Sequence, residues 1–177
     1  MITELYTERL YLRKMKAEDA PGLFAIWSDP EVSRFMNITA FTDVEEAGEM
    51  ISFLNQLAEE NKAIRFSIVE TASNQIIGSC GYNSLDFDNA KAEIGYDIAK
   101  SHWGKGYASE AVRSLLDHAF TSLHLHRIEA KVEPENLPSI KLLQKLRFTF
   151  EGTLRQSERS KGRFIDLNMY AKLRTEE

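Results

Sequence analysis

The 177-residue sequence predicts an α/β fold, a mixed sheet with helices packed against it. Three observations lead there. Residues 64–98 hold three alternating apolar runs separated by turn residues, a strand meander. A loop with two glycines, residues 100–106, joins the last run to a segment whose apolar residues recur at helical spacing. Beyond it, strand and helix patterns alternate to the C-terminal end.

The elements follow in order. Arg9-Leu10-Tyr11-Leu12-Arg13 alternates and reads as a strand. Residues 17–27 carry apolar residues at helical spacing and stop before Asp29-Pro30. Thr42 followed by Glu45 matches a capping box, after which Val44, Ala47, Met50, Ile51, Leu54, Leu57 and Ala58 trace one helix face. In the meander, Ile64, Phe66 and Ile68 share one side of strand 64–70. Ser73-Asn74 turns into strand 75–85, and Asp86-Phe87-Asp88-Asn89 turns into strand 92–98. The helix after the glycine loop is expected over 107–123. Its inward face is Ala108, Ala111, Val112, Leu115, Ala119 and Phe120, with His118 on the solvated face. Residues 127–132 alternate as a strand, and Pro138 suits the first position of a short helix over 138–146. Residues 150–154 and 164–173 close the chain as two strands around a basic hairpin loop, 155–163. The order is β-α-α-β-β-β-α-β-α-β-β, and without repeats or linkers it predicts one domain over residues 1–177.

Composition narrows the function. A hydrophobic share of 43 % supports a core without disulfides or structural metal. The net charge of −5 disfavours a general nucleic-acid binder. The one basic cluster, 155–163, reads either as a solvated loop or as the wall of an acceptor groove, with Trp27, Phe35 and Phe41 as the opposite wall or as core. No run approaches the roughly 18 apolar residues of a membrane span. Met1-Ile2-Thr3-Glu4-Leu5 lacks a signal-peptide pattern, so the expected location is the cytoplasm. The single cysteine, Cys80, can form no intrachain disulfide and lies in an apolar strand, as a core thiol does. His102, His118, His124 and His126 are not joined by cysteine or carboxylate at ligand spacing, and no metal is expected.

The chemistry concentrates in Ala92-Glu93-Ile94-Gly95-Tyr96-Asp97-Ile98 and Trp103-Gly104-Lys105-Gly106-Tyr107-Ala108-Ser109-Glu110-Ala111. A strand, a glycine loop and a helix start offer free backbone N–H groups and the positive end of a helix dipole to phosphate oxygens. Gly104 and Gly106 let the backbone approach an anion, and Lys105 can add charge. A Walker A loop would need Ser or Thr after Lys105, where Gly106 stands. A dinucleotide fingerprint would need an opening βαβ unit, whereas this strand ends a meander.

These segments resemble the acetyl-CoA motif of the GNAT N-acetyltransferase superfamily. Thr7-Glu8-Arg9-Leu10-Tyr11-Leu12-Arg13, Glu93-Ile94-Gly95-Tyr96 and Asn136-Leu137-Pro138-Ser139 look like its ribosomal-protein serine/alanine N-acetyltransferase (Rim-type) branch. The resemblance implies a mostly antiparallel sheet with a central splay and about four flanking helices. It implies acetyl-CoA with its pyrophosphate on the backbone of Gly104, Lys105, Gly106, Tyr107, Ala108 and Ser109. The pantetheine arm would run beside residues 96–98, bonded by Asn136, with the N–H near Ile98 polarising the thioester carbonyl. The tyrosine that many members carry in the last helix is replaced here by Leu143, and Ser139 matches the serine that fills its role in the Rim-type pattern. The acceptor implied is a primary amine, foremost the N-terminus of a ribosomal protein, and members of the branch are often dimers.

Acetyl transfer needs a neutral amine, and an α-amine with pKa near 8 needs only a modest push. Glu93 shares a strand side with Gly95 and Asp97 and is the expected general base, with Asp97 the lesser candidate. Ser139 is the expected donor to the departing thiolate, or else a helix-capping residue. Two other readings stay open: acetylation of a small-molecule amine such as an antibiotic or polyamine, and a silent acyl-CoA-binding module.

Overall fold

The computed structural model describes residues 4–177; residues 1–3, part of the start that lacks a signal-peptide pattern, lie outside the described residues. The strands are β1 (Glu4–Tyr6), β2 (Leu10–Lys14), β3 (Ile64–Glu70), β4 (Gln75–Asp86), β5 (Lys91–Ile98), β6 (Arg127–Val132), β7 (Thr149–Ser160) and β8 (Arg163–Leu173). The helices are α1 (Ala20–Trp27), α2 (Pro30–Ser33), α3 (Val44–Glu59), α4 (Tyr107–Asp117) and α5 (Leu137–Lys145). The strands form one sheet in the order β1-β2-β3-β4-β5-β6-β8-β7. Among the described residues only β5 and β6 run parallel, joined through α4; the other neighbours are antiparallel.

That parallel pair is short. It holds Lys91 to Arg127, Ala92 to Ile128 and Glu93 to Glu129, and then the strands part. On the other flank of β5, the register against β4 shifts between Tyr82 and Ser84, opposite Ile94 and Glu93. A bulge raises local twist, and here it turns the outer half of β5 away from β6. The expected central splay therefore starts at Glu93.

Apolar residues sort onto the two faces. Phe66, Tyr82, Val112, Leu115, Ile128 and Leu143 belong to the larger cluster, to which β2–β6, α4 and α5 contribute. Met15, Leu23, Ile26, Trp27, Ala47 and Ile51 form a second cluster around α1 and α3. Leu115 is fully buried, and truncating it to alanine should cost about 2–5 kcal/mol.

Several local expectations need correction. Asp43, not Thr42, caps α3: its side chain accepts the Glu45 N–H at 2.9 Å, while Thr42 Oγ1 bonds the Glu46 carboxylate at 3.1 Å. Asp caps at least as well as Thr and stands next to the first helical residue. Asp29-Pro30 ends one helix and also starts another. Asp29 accepts the Glu31 N–H, Pro30 takes the first position, and α2 is added to the four helices expected. Pro138 stands second in α5, after Leu137.

The long helix stops being α-helical at Asp117 and widens into a π turn over His118–Ser122. His118 stands three residues after Leu115 and seven after Ala111, on the buried stripe of α4, so it is buried at 3 % exposure instead of solvated. Neither of its ring nitrogens has a partner among the described residues, and burial pushes its pKa down.

The basic hairpin loop is also much tighter than expected. Strands run through Ser160, and Lys161 and Gly162, at φ 52° and 80°, form a two-residue turn. Among the described residues no helix is long and apolar enough to cross a membrane.

Candidate active site

Where β5 and β6 part, a cleft of about 1180 Å³ opens. Its floor is residues 93–98 of β5. One lip is the glycine loop with the start of α4, the other the start of α5. Arg34, Phe35, Met36, Phe53 and Leu54 from the α2–α3 region line one end, together with buried Trp27, while Phe41 packs edge-on to Trp27 behind it. Glu158 and Ser160 of the hairpin also line the cleft, so 155–163 is part of a wall. Three hydrogen bonds fasten that wall. Lys161 Nζ donates to the Ser33 and Arg34 carbonyls at 2.6 and 2.8 Å, and Asn37 Nδ2 donates to Glu158 at 2.7 Å.

Gly106 is the residue before α4 and has φ 82°, a left-handed conformation that a β-branched residue cannot hold without strain. Gly104, at φ 74°, makes the preceding bend. The N–H groups of Tyr107, Ala108 and Ser109 fall in the first helical turn, where no intrahelical acceptor exists. Their side chains are otherwise occupied: the Tyr107 hydroxyl bonds Glu70, and Ser109 Oγ donates back to the Gly106 carbonyl at 3.1 Å. The backbone is therefore what this turn offers to an anion. Lys105 is exposed, and its carbonyl is held by Arg9 Nη1 at 3.0 Å. Arg9 itself is anchored on Glu110 at 2.8 Å and stacks over the Tyr107 ring at 4.2 Å.

Ile98 lies at the far end of the floor. The Ala99 N–H donates to the Ile77 carbonyl at 2.7 Å. Bonding alternates along an antiparallel ladder, so the Ile98 N–H points away from β4, toward the side that β6 has left. The Ile98 carbonyl accepts from Trp103 Nε1 at 2.7 Å.

Glu93 stands where the strands part. Lys131 Nζ lies 3.2 Å from Glu93 Oε1, and Asn83 Nδ2 donates to Oε2 at 3.2 Å. Asn83 in turn accepts from Arg65 Nη1 at 3.0 Å, and Arg65 Nη2 donates to Asp97 at 2.8 Å. Gly95 permits this crossing, because a Cβ there would meet the Asn83 side chain at 2.6 Å and Arg65 at 2.9 Å. Asp97 is 5 % exposed and also accepts from the Ser79 N–H, the Ser79 hydroxyl and Trp27 Nε1. With those acceptor positions taken, Asp97 is built as an anchor.

Across the cleft, Asn136 caps α5, its Oδ1 accepting the Ser139 N–H at 3.3 Å. The Ser139 hydroxyl lies 2.7 Å from the Tyr96 hydroxyl. Leu143, one turn on, is buried in the core. Cys80 is fully buried, and burial pushes its thiol up to about 12, which leaves it without nucleophilic character.

The sequence candidates Glu93, Ile98, Gly104, Gly106, Tyr107, Ala108, Ser109, Asn136 and Ser139 all line this cleft, with Lys105 on the loop between its glycines. Sequence reasoning missed Arg65, Asn83, Tyr96 and Lys131, whose roles arise from pairing between strands. Arg9 stood in the Thr7–Arg13 motif, but nothing in the motif showed that it braces the glycine loop.

Comparison with known proteins agrees with this geometry. Residues 9–149 match the acetyltransferase (GNAT) domain family. The chain is 58 % identical to the uncharacterized N-acetyltransferase p20 of Bacillus licheniformis, over 97 % of each chain. It is 32 % identical to the spermidine N(1)-acetyltransferase of Vibrio cholerae over 70 % of each, and 33 % identical to the ribosomal-protein-serine acetyltransferase of Escherichia coli over 56 % of each. Among solved structures, the fold is shared with the ribosomal L7/L12 alpha-N-protein acetyltransferase in complex with coenzyme A, at TM-score 0.86 and 24 % identity over 97 % of each chain.

Proposed function

The chain belongs to the GNAT acetyltransferases and is an acetyl-CoA-dependent N-acetyltransferase; within that family we propose that it acetylates the N-terminal α-amine of a protein. The observation that carries this reading is the splay at Glu93. It puts a carboxylate, an outward-facing backbone N–H and a hydroxyl around one opening. The first turn of α4 fits the CoA pyrophosphate, with the backbone of Gly104–Ser109 as its seat and Lys105 adding charge from outside. The Ile98 N–H suits the thioester oxygen as negative charge develops there. Asn136, whose side-chain N–H groups have no partner among the described residues, suits the pantetheine arm. Glu93 takes the amine proton, directly or through water. Ser139 donates to the departing sulfur. Attack is direct, since the buried Cys80 offers no nucleophile.

The apolar lining of the cleft favours a peptide amine over a polyamine. Among its carboxylates Glu31, Glu93 and Asp97 pair with Lys100, Lys131 and Arg65, while Glu135 and Glu158 have no cationic partner among the described residues. The apolar end made by Phe35, Met36 and Leu54 suits the uncharged residues of a peptide. The ribosomal-protein reading rests on the motif resemblance and on the Escherichia coli relative.

A panel of acceptors tests this. Release of free thiol from acetyl-CoA would be followed with peptides beginning Ser or Ala, with spermidine, and with peptides carrying only an internal lysine. The highest kcat/KM is expected on the first group. Acetylation confined to spermidine or to internal lysines would refute the proposal.

A further inference from the structure

We infer that Tyr96 is a positioning residue for acetyl transfer, holding the Ser139 hydroxyl so that its hydrogen faces the cleft. The inference rests on the reading of Ser139 above. Tyr96 lies on the parted half of β5, and its side chain reaches across to the first turn of α5, where its hydroxyl meets Ser139 at 2.7 Å. Two features give that bond a direction.

The first is Ser139's own surroundings. Its N–H is spent on Asn136, which fixes the backbone, but among the described residues its hydroxyl has no other partner to set its rotation. A hydroxyl has one hydrogen and two lone pairs. If Tyr96 donates to Ser139, the serine hydrogen is left for the cleft. If Ser139 donates instead, that hydrogen is used up.

The second is burial. Removal from water pushes the Tyr96 pKa up, partly offset by the Ser139 bond. Both hydroxyls keep their protons at neutral pH; a phenol is more acidic than an alcohol and so the stronger donor of the two, which favours the direction from Tyr96 to Ser139. Tyr82 gives the contrast. It is fully buried where Tyr96 is half-buried, and its hydroxyl ends on the Leu115 carbonyl, which cannot pass a hydrogen bond onward. Tyr96 ends on a hydroxyl, which can, and chained hydrogen bonds strengthen one another.

The step balances without further reagents. The nitrogen–carbon bond forms as the carbon–sulfur bond breaks, and that electron pair passes to sulfur. The amine proton goes to Glu93. Ser139 steadies the thiolate by hydrogen bonding until solvent supplies its proton.

The test compares Tyr96→Phe, Ser139→Ala and the double variant, reading kcat, KM for acetyl-CoA and the thermal midpoint. Tyr96→Phe should lower kcat about three- to tenfold, the range of one neutral hydrogen bond, with KM and midpoint little changed. Ser139→Ala should lower kcat further, and the double variant should be no slower than Ser139→Ala alone, because both changes remove one interaction. Full activity in Tyr96→Phe, independent multiplying losses in the double variant, or a loss that appears mainly in KM and midpoint would each overturn the inference. So would a Tyr96→Phe loss exceeding that of Ser139→Ala. If Ser139→Ala itself is fully active, the reading of Ser139 falls and takes the inference with it. If only Tyr96→Phe is fully active, the inference alone falls.

Discussion

Two arginine–aspartate pairs sit on the same face of the sheet, and they serve different ends. Arg13, Ser67, Ser79 and Asp97 lie directly opposite one another on four neighbouring strands, forming a buried polar row. At one end Arg13 meets Asp19 through two bonds of 2.7 and 2.8 Å, and Asp19 also accepts from the Lys16 N–H and the Ser67 hydroxyl. At the other end Arg65 meets Asp97 beside Ser79. Both carboxylates are buried, with side chains 5 % and 2 % exposed. The difference lies in the arginines. Arg13 spends both terminal nitrogens on Asp19, and the group is closed. Arg65 spends one on Asp97 and sends the other to Asn83, which continues to Glu93 and Lys131 at the cleft. The same ion pair is a staple where it closes on itself and a frame for chemistry where it leaves a donor over.

The sharpest way to separate the two is at the open end of the chain. Glu93→Gln keeps the size and the Asn83 contact but removes the base, so kcat should fall by on the order of 10²–10⁴ at neutral pH while stability changes little. Raising pH should recover part of the rate as more of the amine becomes neutral, and a kcat–pH series would show it. An unaltered profile would remove Glu93 from the mechanism.

At the closed end the loss should appear in stability. Asp19→Asn leaves the half-buried Arg13 without its charge partner and should cost about 1–3 kcal/mol in chemical denaturation, with kcat of the folded protein retained. The effect depends on pH. Burial by itself raises the Asp19 carboxyl, but the bonds from Arg13, Lys16 and Ser67 outweigh it and hold the group below its usual value. A depressed pKa stabilises the fold above the unfolded value, near 3.9, and that contribution is lost as pH falls through the folded value. Wild type should therefore lose stability over that acid range more steeply than Asp19→Asn.

A smaller effect is expected on the opposite lip of the cleft. Gly106→Val strains a φ of 82° and obstructs backbone approach, so the dissociation constant for CoA should rise by about tenfold or more. The shape of the kcat–pH profile should not change, because the charged chain is untouched. Normal cofactor affinity in a folded variant would displace the pyrophosphate from this turn.

The smallest is Asn83→Ala, which cuts the chain between Arg65 and Glu93. A loss in kcat of about three- to tenfold is expected, one hydrogen bond's worth, with little change in thermal midpoint. If the variant matches wild type in rate, the chain does not orient Glu93 and the contrast with Arg13–Asp19 is only one of geometry.

Much of this molecule was written in local patterns. The three-strand meander, the helix start at Tyr107 and the strand Arg127–Val132 follow from alternation, helical spacing and turn residues, which act between neighbours in the chain. The glycine loop was legible for the same reason: left-handed φ values and free N–H groups need no distant partner. His118 was misread because its polar ring was assigned to solvent, although it stands three residues after buried Leu115 and seven after buried Ala111 on one helix face. The hairpin 155–163 was read as loop because its charged residues hide a strand pattern. Its two-residue turn is held against α2 by Lys161, a contact spanning over a hundred residues of chain.

What only the tertiary structure decided is the company each site residue keeps. The sequence placed Glu93 beside Gly95 and Asp97 on one strand face. It could not place Arg65, Asn83 and Lys131 there, because strand register depends on the bulge at Tyr82–Ser84 and on where β6 leaves β5. Nor could it join Tyr96 to Ser139, 43 residues apart. Local propensity fixes which atoms a segment presents, while packing of segments remote in sequence fixes which atoms meet.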